Sequence, residues 1–253
     1  MERALTFGSA AEAYERFRPG YPDDLVDRLR APAEGVVTRA IEVGAGTGKA
    51  TRVVAAAGIE VTAVEPDARM LAILGRTCAG LPVHPHHAAF EDVDAAQVGR
   101  FDLLYAAAAW HWTRPEDRWD RASALVRPGG AVAFFGGPIV LADAGLETAE
   151  EAIIRRRQPA GIHVPPPSAG VPGLDWPGDE LAADGRFTDV RQERVRRRLD
   201  LTRDDYLGHL STVSALRILS EPDRAAVLED LAAVLPDRVA VDADLVLHTA
   251  RRR

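Results

Sequence analysis

Ile41-Glu42-Val43-Gly44-Ala45-Gly46-Thr47-Gly48-Lys49 is the stretch on which the reading of this chain turns. An apolar strand, Ala40 to Val43, runs into three glycines at alternate positions, and a helix-forming run, Lys49 to Ala57, follows at once. Glycines at the head of a helix let a ligand lie against bare backbone. Glu65 closes the next strand, Ile59 to Val64, at the spacing where an acidic side chain grips a ribose diol. Together these residues predict a site for a nucleoside-bearing small molecule.

Two phosphate-binding readings of the loop fail at diagnostic positions. A P-loop needs glycine five residues before Gly48 and a hydroxyl after the lysine, and those positions hold Val43 and Ala50. The dinucleotide fingerprint needs glycine where Lys49 stands, and lysine would crowd the helix–strand contact. S-adenosylmethionine has no phosphate to cradle. It needs room for an amino-acid tail and a sulfonium, with Glu42, just before the first glycine, placed to help hold the amino end.

The chain has 253 residues, 47% of them hydrophobic, enough for one sizeable α/β domain with insertions. The net charge of −7 does not suggest a nucleic-acid partner. The single cysteine, Cys78, rules out an internal disulfide and suits a reducing cytoplasm. No N-terminal apolar run reads as a leader and no run is long enough to span a membrane, so a cytoplasmic protein is expected. Lys49 is the only lysine, and the arginine-rich, alanine-rich composition suggests a bacterial genome of high GC content.

The apolar pattern predicts helices over Ser9–Arg18 and Asp23–Arg30, the second capped by Asp23. Strands follow at Ala40–Val43, Ile59–Val64, Val83–His87, Phe101–Ala107 and Ala131–Phe135, with helices between them, one stopped by Gly75 and one ending before Pro128-Gly129-Gly130. This alternation predicts a parallel sheet with helices on both faces and a ligand at the carboxyl ends of its strands. From 138 to 185 the pattern fails among prolines and glycines, and a cap or lid loop is expected there. Strand-like sequence near 190–201, helices over 204–219 and 223–235, and a final strand within 239–250 complete the chain.

The segments IEVGAGTGKAT and VTAVEPDARML resemble the first two motifs of class I S-adenosylmethionine-dependent methyltransferases, and RFDLLYAAAAWHWTRPEDRWDRASALVRPGGAVAFFG resembles their motifs four to six. With YERFRPGYP, the aromatic–His–Trp run is similar to the branch that includes trans-aconitate methyltransferases and many small-molecule methyltransferases; a weaker likeness lies near YLGHLSTVSAL. The resemblance implies a single Rossmann-like α/β domain over residues 1–253 with a seven-stranded, mostly parallel sheet and an antiparallel last strand. It would comprise an N-terminal helical lid (1–35), a cofactor-binding core (36–137), a cap insertion (138–185) and a C-terminal part of the core (186–253).

The resemblance also implies roles. Gly44, Gly46 and Gly48 would approach the methionine tail and ribose, and Glu65 would accept from the ribose hydroxyls. Pro66 and Met70 would wall the adenine, with Ala89, Phe90 and Glu91 at its edge and Ala107 near the amino-acid end. Tyr14, Arg18 and Tyr21 would come from the lid, Arg18 pairing with the methionine carboxylate. Trp110-His111-Trp112 would hold the methyl acceptor, with His111 as the candidate base. The implied cofactor is S-adenosylmethionine, leaving as S-adenosylhomocysteine, and the expected partner is a small organic molecule methylated on oxygen, with nitrogen or carbon open, in natural-product biosynthesis or on a carboxylic acid. A non-catalytic S-adenosylmethionine-binding protein and an NAD(P)-dependent oxidoreductase are the competing readings. No metal site is expected: His84, His86 and His87 share a strand and adjacent ones face opposite ways. Arg155-Arg156-Arg157 and Arg196-Arg197-Arg198 read as solvated faces that could hold an anion, and Arg251-Arg252-Arg253 as a disordered tail.

Overall fold

Strands and helices alternate along the chain as its apolar segments and glycine breaks dictate. A computed structural model describes residues 11–157 and 174–253. In order the elements are α1 (Ala11–Phe17), α2 (Leu25–Arg30), β1 (Arg39–Val43), α3 (Thr51–Ala56), β2 (Glu60–Glu65), α4 (Ala68–Thr77), β3 (Val83–His87), α5 (Ala95–Val98), β4 (Phe101–Ala107), α6 (Arg118–Leu125) and β5 (Val126–Gly136). There follow β6 (Val140–Leu141), α7 (Ala144–Arg157), α8 (Gly178–Ala183), β7 (Phe187–Val195), β8 (Arg198–Thr202), α9 (Arg203–Ser211), α10 (Ser214–Arg217), α11 (Glu221–Val234), β9 (Arg238–Asp242) and β10 (Leu245–Arg252).

Seven strands form the main sheet in the order β3-β2-β1-β4-β5-β10-β7. Strands β1 to β5 are mutually parallel, while β10, the last in sequence, is inserted antiparallel between β5 and β7. This is the Rossmann-like α/β fold with an antiparallel last strand. The chain winds outward from β1 on both sides, so the strand order reverses between β1 and β4 and leaves a crevice at their carboxyl ends.

Side-chain alternation along the strands builds two cores. From β4, Leu103 and Tyr105 pack with Leu25 and Leu29 of α2 and Val54 of α3. Leu104 and Ala106 face the other way, toward Leu125 of α6 and Leu181 of α8. A third core joins Leu141, Ile153, Tyr206, Leu210, Val227, Leu231 and Val241, which come from α7, α9, α11 and the small sheet β6-β9-β8.

Several boundaries differ from expectation for identifiable reasons. Helix α4 runs through Gly75 to Thr77. The Asp67 carboxylate caps its start by accepting from the N–H groups of Arg69 and Met70, and the buried stripe of Met70, Ile73 and Leu74 outweighs the roughly 1 kcal/mol cost of one glycine. Helix α2 begins at Leu25 with Asp24, not Asp23, at its N-cap. Pro128-Gly129-Gly130 lies within the span of β5, where a register shift against β4 absorbs it.

The segment read as loop from 138 to 185 contains the 14-residue helix α7. Asp143 accepts from Gly145 and Leu146 N–H at its start, and its alanine, glutamate and arginine content favours helix. Pro159, Pro165, Pro166, Pro167 and Pro172, with Gly161, Gly170 and Gly173, lie outside the described residues. Residues 139–157 join residues 198–242 in the third core, although the latter were expected in the C-terminal part of the main core. Nor do Arg251 and Arg252 form a loose tail. They extend β10, where Arg251 pairs with Asp189 and Glu34 and Arg252 donates to the Val126 carbonyl. Among the described residues no helix is long and apolar enough to cross a membrane.

Candidate cofactor and acceptor site

A cavity of about 270 Å³ opens at the carboxyl ends of β1, β2 and β4. Its walls include Tyr14 and Arg18 from the N-terminal segment, Gly44 and Gly46 from the loop, and Glu65, Pro66 and Met70 from the β2–α4 junction. Ala89, Phe90, Glu91, Ala107, His111 and Trp112 complete the set of expected residues that line it. Four expected residues stand outside this wall: Tyr21, Glu42, Gly48 and Trp110.

Glu65 is 7% exposed, and its two carboxylate oxygens are held apart by two backbone donors. Gly46 N–H donates to Oε2 at 2.8 Å and Asp67 N–H to Oε1 at 2.9 Å. Burial raises its pKa, and those two bonds only partly offset the rise. Each oxygen retains acceptor capacity, so the carboxylate is oriented with room for two further donors. Gly44 crosses close to the β4 end: a Cβ there would lie 2.5 Å from that of Ala109.

The four residues outside the wall have structural work. Glu42 is 1% exposed beneath the loop, where Oε2 accepts from Thr51 Oγ1 at 2.5 Å and Tyr105 OH at 2.9 Å. It staples β1 to α3 and β4, and burial drives its pKa up to about 8 despite those bonds. Gly48 is pressed onto α4, since a Cβ would come within 2.8 Å of Cys78 Sγ. The Tyr21 ring meets Phe135 edge-on at 5.1 Å, inside the first core. Trp110 is 3% exposed and sits between Phe134 at 4.4 Å, Trp119 at 5.1 Å and Phe90 at 5.4 Å.

Helix α1 is fastened across the loop by a residue that sequence reading passed over. Glu15 accepts from Thr47 Oγ1 at 2.6 Å and Arg52 Nη1 at 2.8 Å, and Lys49 Nζ donates to its carbonyl at 2.7 Å. Burial opposes the Glu15 charge, but those donors outweigh it and its pKa falls. The lysine that disqualified the dinucleotide fingerprint is thus an anchor for α1. On the other flank, Arg18 Nε donates to Thr212 Oγ1 at 2.9 Å and Nη2 to the Thr212 carbonyl at 3.2 Å, tying the residue after α1 to the end of α9. Arg197 Nη2 donates to the Gly20 carbonyl at 2.9 Å, so it is not a solvated arginine.

Also missed were Val43, Ala108, Ala109, Thr113 and Ser214, which line the cavity. Ser214 belongs to the weakly matching segment near YLGHLSTVSAL, and the packing of α9 against α1 brings it to the site. Ala108 has φ +52°, which non-glycine residues seldom adopt, and its N–H donates to the Phe135 carbonyl at 2.7 Å. His111 stands at the rim of the cavity, and desolvation on its protein side lowers its pKa, keeping the imidazole neutral at pH 7. The arginine run ending α7 turns to neighbouring acids: Arg155 to Glu151, and Arg157 to Asp223 and Asp230.

With this geometry in place, residues 40–130 match the family described as Methyltransferase domain. Residues 40–130 are thus similar to a methyltransferase domain. The matched stretch contains the glycine loop, Glu65 and the Trp110–Trp112 turn. An uncharacterized methyltransferase of Mycobacterium tuberculosis is 36% identical over 129 residues, which is 51% of each chain. An S-adenosylmethionine-dependent methyltransferase provisionally assigned in Saccharomyces cerevisiae is 29% identical over 126 residues, 48% of this chain and 43% of its own. The chain therefore spans about half the length of these relatives. Among solved structures, a proposed type II methyltransferase of Anaeromyxobacter dehalogenans superposes with TM-score 0.63 at 21% identity, over 93% of this chain and 98% of that one. The shared fold thus reaches well beyond the matched methyltransferase domain.

Proposed function

We propose that this chain transfers the methyl group of S-adenosylmethionine to an oxygen of a small organic acceptor. The observation that carries this reading is the Glu65 carboxylate, fixed by Gly46 and Asp67 N–H at the wall of the glycine-loop cavity with two acceptor positions to spare. A ribose diol supplies two donors, and no phosphate-binding feature competes for the loop. Pro66, Met70 and Phe90 give the adenine an apolar slot, and Tyr14 and Arg18 close over the cavity from the lid.

Bound in this cavity, S-adenosylmethionine supplies a methyl group already activated on a sulfonium. The chain's task is alignment, which by itself accounts for much of such a displacement. Gly44, Gly46, Glu65 and Arg18 would hold that cofactor, and it would give its methyl group to the acceptor oxygen with the electron pair of the carbon–sulfur bond left on sulfur. The hydroxyl proton passes to the neutral His111 imidazole at the rim. The Trp112 face, 38% exposed beside His111, favours the cation by about 0.5–2 kcal/mol.

The net charge of −7 supports a small molecule rather than a nucleic acid as partner, and the single cysteine and scarcity of lysine support a bacterial cytoplasmic protein. Calorimetry with S-adenosylmethionine and S-adenosylhomocysteine is the test. Binding of both is expected, and binding of neither would end this reading.

A further inference from the structure

Among the described residues, Arg18 is the only lysine or arginine lining the cofactor cavity, and no carboxylate pairs with it. Both of its hydrogen bonds go to one residue. Nε donates to Thr212 Oγ1 at 2.9 Å and Nη2 to the Thr212 carbonyl at 3.2 Å. A guanidinium carries five N–H donors in a planar fork. Thr212 takes the Nε–Nη2 edge. Both Nη1 hydrogens and one on Nη2 remain, and that second edge is the one that grips a carboxylate with two parallel bonds. A half-buried cation without a counter-charge is costly, and an anionic group of a ligand would relieve the cost.

Thr212 is fully buried and stands behind the cavity wall rather than in it. Its hydroxyl has one hydrogen, which it donates to the His209 carbonyl at 2.7 Å, so toward Arg18 it presents only lone pairs. Thr212 is also the C-cap of α9, where unpaired carbonyls favour a cation. Two residues later Ser214 opens α10 and lines the cavity, so the chain that holds Arg18 continues directly into the wall. From the other side the Tyr14 ring lies 5.4 Å from the guanidinium carbon. Burial, and then the nearby Arg18 charge, lowers the His209 pKa to about 4, so that ring is neutral at pH 7 and does not repel the guanidinium. The Tyr21 hydroxyl, whose pKa burial raises most, feels the charges of both Glu42 and Arg18. The guanidinium therefore stands over the β1 end of the site.

We infer that Thr212 is a positioning residue for the cofactor: it aims the free edge of Arg18 at the carboxylate of the amino-acid tail of S-adenosylmethionine. Thr212 touches neither cofactor nor acceptor and acts through Arg18. With Nε and one Nη2 hydrogen pinned, the fork is set before the ligand arrives, and little side-chain freedom is lost on binding. The hydroxyl of a residue on α9 thus sets how strongly the site prefers a ligand that carries the carboxylate over one that lacks it.

The inference rests on the methyl-transfer reading, and one experiment separates their failures. The full chain is titrated calorimetrically with S-adenosylhomocysteine and with its decarboxylated analogue, which keeps the adenosine, the sulfur and the amine. The wild type is expected to bind S-adenosylhomocysteine at least tenfold more tightly than the analogue. Thr212→Val keeps the shape and removes the hydroxyl. It should weaken S-adenosylhomocysteine about tenfold and leave the analogue within about twofold. Thr212→Ser restores the hydroxyl and should return the preference to within about threefold of wild type. A merely structural role would weaken both ligands alike, and equal losses in Thr212→Val overturn the inference. An undiminished preference in that variant, a Thr212→Ser chain that behaves like it, or a wild type without preference does so too. Failure of S-adenosylhomocysteine itself to bind the wild type would instead overturn the methyl-transfer reading.

Discussion

Glu65→Gln looks conservative, and the structure says that it is not. The glutamate presents two acceptor oxygens, each already taking one backbone N–H, from Gly46 and from Asp67. Glutamine offers one oxygen and one NH2 group, so whichever way the amide is turned, a donor faces a donor. One buried N–H is left unpaired, at a cost of about 1–3 kcal/mol in stability. On the ligand side, the two ribose hydroxyls lose a charged partner. Charge-assisted hydrogen bonds are about twice as strong as neutral ones, so each loses roughly 1 kcal/mol, about 2 kcal/mol together, or about thirtyfold in affinity. Calorimetry with S-adenosylhomocysteine reads the second effect and thermal unfolding reads the first. The wild type should also show a pH dependence that the variant lacks. Burial raises the Glu65 pKa above its usual 4.5, and the hydroxyls bind the ionised form. Affinity is therefore full above that raised pKa and falls as the pH drops through it. A variant affinity within threefold of wild type, with the same pH dependence, would refute the assignment of Glu65 to the ribose.

Three other substitutions probe separate parts of the structure. Glu42, with its folded pKa raised from 4.5 to about 8, contributes stability that is complete below about 4.5 and is lost as the pH rises through about 8. Glu42→Gln should gain on wild type in urea unfolding between pH 5 and pH 8.5, and a pH-independent difference would contradict the buried neutral carboxyl. Glu180→Ala leaves Arg118, which is 5% exposed, without its carboxylate and takes the acceptor from the Trp119 and Trp176 indoles. It should cost about 3–5 kcal/mol by chemical denaturation, and a loss under 1 kcal/mol would show that the pair is dispensable. His111→Ala should bind S-adenosylhomocysteine normally yet lower methyl-transfer kcat by about 10²-fold or more at neutral pH, whereas unchanged turnover would remove His111 as base.

The part of this fold legible in the sequence is the part encoded by contiguous residues. Strand, glycine turn and helix follow one another between Ala40 and Ala57, and the alternation of apolar runs to Phe135 implies the parallel sheet. The third core was not legible because it draws on two segments separated by about forty residues, 139–157 and 198–242, and the prolines after Arg157 obscured a helix with ordinary propensity before them. The same distinction divides the site. Residues that line the cavity through backbone or at a fixed offset, such as Gly44, Gly46 and Glu65, carry a spacing signal. Ser214 has no such fixed offset: it opens α10, which packs on α9, and α9 packs on α1. Glu42 shows the limit of proximity in sequence: it stands two residues before Gly44, yet strand alternation turns its side chain under the loop and away from the cavity. Trp110 and Trp112 divide likewise, one ring entering the core and the other standing at the rim, two residues apart on a single 3₁₀ turn. A motif of aromatic–His–aromatic therefore marks two cavities at once, the cofactor cavity and a second of about 420 Å³ at the carboxyl ends of β4 and β5, and His111 is the one of its three residues that lines both.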